Sequence, residues 1–464
     1  MFTTNEIALA TGGRIIGHAD GEVTAVSTDS RTVVPGQLFV PLHGERFDGH
    51  DFIQAVAEKG VSVILAEEQW LKGHAIPDSV TCIAVKNSLH ALGDLAAAWR
   101  RRFDIPVIAV TGSNGKTTVK EMLATILELT GPGLKTSGNL NNLIGLPQML
   151  FQIRPEHRWA VLEMGMSEPG EIDRLAAIAT PRVGIVLNAL PAHLQSMGTV
   201  EAVAAAKGEL LHRISDGGLA VVNADDSRVA SLSQNASARR ISFGIDRGEV
   251  RAREIESLGL QGQYFVLVTP RGEATVQLQA CGRHNIYNAL AATAALLEKV
   301  DLPTIAAGLE AFIPYKGRFQ IERVGGVTLI DDSYNANPAS TKAALETLNQ
   351  IAPEGHRVAV LGDMLELGEQ EADAHYGIGA VAGRSVDRLY LLGERMVKHA
   401  AKGVELSEMS AVSVFCGSSH EEIAAQLHRS GSDGDVILFK GSRGMAMEKV
   451  VVELKKLMQH SKGE

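Results

Sequence analysis

The stretch VIAVTGSNGKTTVKEML, Val107 to Leu123, constrains the fold of this chain more than any other segment. Four apolar residues, Val107 to Val110, read as a buried strand. A Gly/Ser/Asn turn runs from Gly112 to Gly115, after which Val119, Met122, Leu123, Ile126 and Leu127 recur at helical spacing. A strand that enters a helix through a short glycine turn is the unit from which parallel α/β sheets are wound. It is also a phosphate cradle, because small residues let backbone N–H groups close round an anion at the positive end of the helix dipole. In such a loop Gly112, Ser113, Asn114 and Gly115 wrap the phosphates, with Thr118 closing the first turn. Lys116 reaches the outer phosphates and the Thr117 hydroxyl ligates Mg²⁺. The spacing departs from the usual loop at Val110, where its first glycine would stand. The plainer alternative is a tight turn with a solvated lysine; the strand and helix on either side point instead to a chain that consumes ATP or GTP.

At 464 residues the chain exceeds what one core supports, so several domains are expected. A net charge of −10 disfavours nonspecific binding to nucleic acid or anionic membrane, and 5% aromatic content argues against base-stacking platforms. Cys82, Cys281 and Cys416 follow no metal or disulfide spacing, which fits a reducing cytoplasm. The first residues lack the pattern of a signal peptide, and no apolar run reaches the length of a membrane span.

Three α/β blocks emerge. Residues 1–85 hold a short helix near Asn5–Ala10, a strand at LFVPL (Leu38–Leu42), a helix near His50–Lys59, and strands VSVILA and TCIAV. Residues 86–314 open with an amphipathic helix, LHALGDLAAAWRRR, and continue through the phosphate loop. The strands WAVLEM, VGIVLN and LAVVN then alternate with helices, the rhythm of a parallel sheet covered on both faces. Alternating apolar and polar residues over 249–281 read as antiparallel β, and an Ala/Leu-rich helix, Asn285–Leu297, closes the block. Residues 315–464 repeat the βα rhythm through VTLIDD, RVAVLGD, RLYLLG, VSVFCG and DVILFKGS. They carry no G-x-G-x-x-G, so no dinucleotide site is indicated.

Glu163 ends an apolar strand. Alone it would read as a cap or a solvated tip; beside a phosphate loop it reads as a Mg²⁺ ligand. His193 falls past the end of the next strand, where α/β ligand crevices open, and stands between a metal or phosphate role and an ordinary surface histidine. Lys207, in the alanine-rich VEAVAAAKGEL, reads from composition as a solvated lysine, the alternative being a side chain aimed into the crevice. SGNLNNLIGLP, with Asn139 and Asn141, and DDSYNANPAS are asparagine-rich loops whose default role is turns and helix caps. The second also leaves a strand and enters a helix, where α/β sites sit. HNIYNALAA begins a helix. Arg318 lies near the last block junction. Lys440, Ser442 and Arg443 follow the final strand and suit carboxylate or phosphate recognition, or simple solvation.

Together, TGSNGKTT, LEMGM, NALPAHL, AAKGEL, HNIYNA and DDSYNANP make the chain resemble the Mur ligase family, the ATP-dependent amide-forming enzymes of peptidoglycan precursor synthesis. The resemblance spans most of the chain. DSYNANP, TSGNLNNLIGLP and LGDMLELGE, with no DNPR motif, are similar to the branch that joins D-alanyl-D-alanine to UDP-MurNAc-tripeptide. The resemblance implies three domains: a small N-terminal α/β UDP-binding domain, a central phosphate-loop domain with a parallel sheet and an added antiparallel segment, and a Rossmann-like C-terminal domain. It implies that ATP phosphorylates the tripeptide carboxylate and that the dipeptide amine attacks the acyl phosphate. Lys116 and Thr117 would grip phosphates and one Mg²⁺, and Glu163 and His193 would serve the metals. Lys207 would correspond to a lysine that is N-carbamylated in several members and then ligates a second Mg²⁺. His284, Asn285 and Asn288 would lie near adenine, with Arg318 on phosphate and Asp332 on ribose. Asp29, Ser30, Arg31, Asp48 and His50 would line the UDP site. Asn139, Asn141, Tyr334, Asn335, Asn337, Ser442 and Arg443 would serve the tripeptide end and the dipeptide. A cytoplasmic monomer that binds no nucleic acid is the matching expectation. The alternatives are a sister ligase adding another amino acid and an ATP-binding switch that has lost ligation.

Overall fold

The computed structural model describes residues 1–464 apart from 19–20, 45, 193, 233–237, 352, 406–412 and 461–464, and apart from the side chain of residue 460. The chain divides into two compact units. One comprises Met1–Ala109, Pro132–Met166 and Glu171–Arg182; the other comprises Val110–Gly131, Ser167–Gly170 and Val183–Glu464. No helix among the described residues is long and apolar enough to cross a membrane.

The first unit opens with a helix, Thr4–Thr11, started by a capping box: Thr3 Oγ1 accepts from the Glu6 N–H, and Glu6 returns a carboxylate oxygen to the Thr3 N–H. Its main sheet has the order Arg14–Ile16, Thr81–Val85, Val63–Glu67, Gln37–Phe39, Ala25–Ser27, parallel except at the first strand. Alternate residues face opposite sides. Val63 and Leu65 pack with Leu92 and Leu95 of the helix Ser88–Arg100, while Ile64 and Cys82 pack with Ile53 and Val56. The unit also carries a parallel pair, Leu134–Lys135 with Ala160–Glu163, and the Ala160 N–H donates to Pro106 O beside the strand Val107–Thr111.

In the second unit, Val183–Val186, Leu219–Asn223 and Arg239–Phe243 form parallel neighbours, and the Leu187 N–H reaches Thr111 O at the end of the phosphate-loop strand. Arg251–Ser257, Gln263–Thr269 and Gly272–Leu278 make the expected antiparallel segment. The last sheet has the order Gln320–Val324, Val327–Asp331, Val436–Lys440, Arg357–Gly362, Arg388–Leu392, Val414–Gly417. All its pairs are parallel except the opening hairpin. Separate apolar clusters cover its two faces. The strand Val436–Lys440 lies between Val327–Asp331 and Arg357–Gly362, so the chain order switches there. The loops after those three strands share the carboxyl edge at which such sheets bind ligands.

Several sequence expectations need adjustment. The LFVPL strand shrinks to Gln37–Phe39, because the chain must turn through Pro41. The helix expected near His50–Lys59 begins as a 3₁₀ turn, Gly49–Phe52, and continues as Ile53–Glu58. The Ala/Leu-rich helix, Arg283–Leu296, does not close its block: Leu302–Ala311 follows, capped by Asp301 Oδ1 on the Thr304 N–H. The strand Gln320–Val324 was not expected. The Gly325–Gly326 turn, with φ of 57° and 90°, folds it antiparallel onto Val327–Asp331.

Candidate active site

The phosphate loop is held open by its neighbours. Gly115, at φ 88°, precedes the helix Lys116–Glu128, whose first turn receives no side-chain cap. A helix that starts on glycine, with no side chain capping its first turn, presents its positive end to an incoming phosphate. The Ser113 N–H donates to Asn188 O (3.1 Å) and the Asn114 N–H to Asn188 Oδ1 (2.9 Å), while Asn188 Nδ2 returns to Asn114 O (3.1 Å). Ser113 Oγ donates to Leu190 O at 2.9 Å. Lys116 Nζ folds back onto Gly112 O at 2.7 Å. Thr117 is buried, and Thr118 is half-buried in the same turn. Asn188 was not singled out from sequence; its signal was an amide at the very end of an apolar strand.

Asn288 and Asn285 back this loop. Asn288 Nδ2 donates to Asn285 Oδ1 (3.0 Å), and Asn285 Nδ2 to Cys281 O (2.8 Å). A methyl group on Gly115 would collide with Asn288 Oδ1 and would demand a left-handed backbone of an L-residue. Gly115→Ala is therefore expected to weaken nucleotide binding at least tenfold and to cost about 1–3 kcal/mol of stability. Nucleotide titration and chemical denaturation measure the two effects.

The C-terminal sheet brings its carboxyl-edge loops to the same place. Arg318 Nη2 donates to Thr117 Oγ1 at 3.2 Å, and its guanidinium carbon stands 4.1 Å from the centre of the Tyr334 ring. Asn337 Nδ2 donates to Asn114 Oδ1 at 2.7 Å. Asp332 accepts from the Phe319 N–H (3.2 Å) and from buried Lys440 Nζ (2.6 Å), which also reaches Asn335 O (3.0 Å). Burial lowers the His284 pKa below its ordinary value; nearby Asp332 opposes the shift and Lys440 adds to it. Lys440 was expected only as a loop cation; it is instead a buried brace of the Asp332 loop. Asn335 Oδ1 accepts from the Ala336 N–H at 2.9 Å. Ser442 Oγ donates to Ala336 O (3.2 Å) and accepts from the Leu365 N–H (2.8 Å), tying loops together from a buried position. Arg443 is exposed and pairs with Glu448 at 2.9 Å.

Lys207 departs from the solvated reading that composition favours. It is 2% exposed, on a helix, Val200–His212, whose alanines let it pack closely. Its pKa is held well below the lysine range, first by burial and then by the charge of Lys116. His193 lies outside the described residues.

In the first unit, Glu163 is 3% exposed at the end of its strand. Its N–H donates to Thr136 Oγ1, and its Oε1 accepts from Asn141 Nδ2 at 2.8 Å. Asn139 is exposed in the turn before Asn141. Arg31 grips Asp29 through Nε (2.9 Å) and Nη2 (2.8 Å), and these hydrogen bonds, with the Arg31 N–H, lower the Asp29 carboxyl to about 2. Lys59 Nζ holds the same turn at Ser30 O (2.7 Å). Asp48 Oδ1 accepts from His50 Nδ1 at 2.6 Å, and His50 Nε2 accepts from the Glu67 N–H at 3.1 Å. Both nitrogens of His50 are thereby committed to shaping its loop.

Residues 22–100 match the family described as Mur ligase family, catalytic domain; residues 110–296 match Mur ligase middle domain; residues 317–443 match Mur ligase, glutamate ligase domain. The UDP-N-acetylmuramoyl-tripeptide--D-alanyl-D-alanine ligase of Escherichia coli K12 is 36% identical over 456 residues, covering 97% of each chain. The Bacillus subtilis 168 protein of the same name is 35% identical over 93% of each chain. Among solved structures, MurF from Acinetobacter baumannii superposes with a TM-score of 0.89 at 35% identity, covering 98% of this chain and 99% of that one. MurF ligase from Thermotoga maritima, in complex with ADP, gives 0.84 at 29% identity over 95% and 99%.

Proposed function

Because the chain belongs to the Mur ligase family, we propose that it joins D-alanyl-D-alanine to the terminal carboxylate of UDP-MurNAc-tripeptide, with hydrolysis of ATP to ADP and phosphate. The observation that carries this reading is the meeting of an uncapped phosphate-loop helix with Arg318 from the C-terminal sheet, at the Thr117 hydroxyl. A binding switch would need the loop alone. A ligase must also hold the γ-phosphate while it moves to an acceptor.

A carboxylate is a poor electrophile until one of its oxygens becomes a leaving group. Transfer of the γ-phosphoryl group forms an acyl phosphate, the dipeptide amine adds to its carbonyl carbon, and phosphate departs as the amide forms. Lys116 and Arg318 neutralise charge that spreads over the transferring phosphoryl oxygens, and the leading N–H groups of the helix Lys116–Glu128 orient the chain of phosphates. Asn285, Asn288 and His284 support the adenine end, and Asp332, braced by Lys440, takes the ribose. Mg²⁺ would screen repulsion between the two anionic reactants. Each candidate donor suits a hard cation: in the second unit Thr117 offers a hydroxyl and a carbamate on Lys207 an anionic oxygen, and in the first unit Glu163 offers a buried carboxylate. His193 is a further candidate. Carbamylation requires a neutral amine, and burial, which holds the Lys207 pKa well below the ordinary lysine value, favours that form. Asp29, Ser30, Arg31, Asp48 and His50 line the UDP end within residues 1–85; residues 86–314 and 315–464 form the ATP-binding and C-terminal domains. Asn139, Asn141 and Arg443 are offered to the peptide. The setting is a cytoplasmic monomer.

The test is phosphate release from MgATP and UDP-MurNAc-tripeptide, with and without D-alanyl-D-alanine. Release that requires both acceptors, with a product heavier by one dehydrated dipeptide, is the expected result. Release driven by a single amino acid would move the assignment to a sister ligase. Chelation of Mg²⁺ is expected to abolish release. Glu163→Gln should lower it about a hundredfold while leaving the melting temperature near wild type, since glutamine still presents Oε1 to Asn141.

A further inference from the structure

We infer that Tyr334 and Asn337 are positioning residues of the nucleotide-phosphate site, acting through Arg318 and Asn114, and are not contacts for the incoming dipeptide. The inference rests on the ATP-ligase reading above and gives two of its residues different work.

The loop from Asp331 to Asn337 leaves its strand at the switch in strand order and turns toward the phosphate loop. Tyr334 is half-buried, and its ring supports the Arg318 guanidinium at 4.1 Å. Arg318 Nε is buried with no hydrogen-bond partner among the described residues, and Nη2 is held by the Thr117 hydroxyl. The aromatic face therefore fixes the plane of a guanidinium that must present its donors to phosphate. The backbone locks the pair in place: the Tyr334 N–H donates to Gly317 O at 3.2 Å, and Gly317, at φ 72°, leaves room for the tyrosine to lie close.

Asn337 ends one loop and steadies another. Its Oδ1 accepts from the Ser340 N–H (2.9 Å), starting the helix Pro338–Asn349. That bond orients the amide, so Nδ2 donates to Asn114 Oδ1 at 2.7 Å, while Oδ1 also accepts from Asn114 Nδ2 at 3.3 Å. Asn188 already clamps the Asn114 backbone. Asn337 adds the side-chain half of the clamp, so the turn from Gly112 to Gly115 is held from the end of one strand and the start of one helix. A serine at 337 keeps the helix cap but cannot reach Asn114.

The experiment uses the full chain and four variants: Tyr334→Phe, Tyr334→Leu, Asn337→Ser and Asn337→Ala. It measures MgADP affinity by calorimetry, KM for ATP, KM for D-alanyl-D-alanine and the melting temperature. Tyr334→Leu and Asn337→Ser are expected to weaken MgADP binding and raise KM for ATP about tenfold, leaving KM for the dipeptide within about twofold. Tyr334→Phe, which keeps the ring, should stay within about twofold throughout. Asn337→Ala should add a loss of melting temperature that Asn337→Ser does not show. A rise in dipeptide KM with nucleotide affinity unchanged would overturn the inference. So would wild-type values for both in Tyr334→Leu and Asn337→Ser, or a Tyr334→Phe variant as impaired as Tyr334→Leu. If Tyr334→Leu does not fold, Asn337→Ser decides. A wild-type chain that binds MgADP but ligates nothing would refute the ligase reading alone, and the nucleotide titrations would still judge the inference.

Discussion

Lys116→Ala is expected to lower phosphate release by about a thousandfold or more, with the melting temperature unchanged within a degree or two. Lys116 Nζ rests on Gly112 O, inside the loop it is meant to neutralise. Lys116→Arg should fare little better. A planar guanidinium is bulkier than an ammonium and cannot rest on one carbonyl in the same turn. A second, independent readout follows from the charge of Lys116, which helps to hold the Lys207 pKa down. Without that charge the Lys207 amine should titrate at a higher pH, which NMR of the side chain or a pH series of carbamylation would detect. Near-normal turnover in Lys116→Ala would remove the phosphate loop from the mechanism.

Lys207→Met is expected to abolish ligation and, in carbonate-free buffer, to raise stability. A buried lysine without its carbamate bears a desolvation penalty that an apolar side chain of similar length avoids. The gain should be about 1–3 kcal/mol, a rise of a few degrees in melting temperature. The sign with pH follows from linkage. The folded pKa lies below the ordinary value of 10.5, so between the two the unfolded chain holds the additional proton. Wild-type stability therefore rises with pH across that window, and the penalty is complete below the folded pKa. Lys207→Met should lose this part of the pH slope. Calorimetric melts of both proteins between neutral pH and the lysine range measure it. A variant that melts well below wild type would show that the lysine is paired in a way that stabilises the fold.

Much of the architecture was legible along the chain because its signals are local. The apolar run Val107 to Val110, the glycine turn and the helical spacing after it need only about four turns of sequence to be read. The alternation over 249–281 likewise marked the antiparallel segment. Short strands escaped: Arg14–Ile16 and Ala25–Ser27 span three residues each, too few to show a period. The strand Gln320–Val324 carries Glu322 and Arg323 in its middle, which hid it among polar residues.

Residue types marked where the site would lie, since a lysine after a glycine turn and asparagines at strand ends are rare outside ligand or cap roles. What they do there was decided only by tertiary packing. Asn337 meets Asn114 across 223 residues of chain, and Arg318 meets Thr117 across 201. Neither separation leaves a periodic trace. Lys207 reads as a surface residue by composition and is buried because the helix carrying it packs through its small side chains. Local pattern determined the strands, helices and phosphate loop, because backbone geometry and apolar spacing act over a few residues. The partners of Arg318, Asn114 and Lys440, and the depressed pKa of Lys207, were set by which sheet edges the fold brings together, because hydrogen bonding and desolvation depend on distance in space and not along the chain.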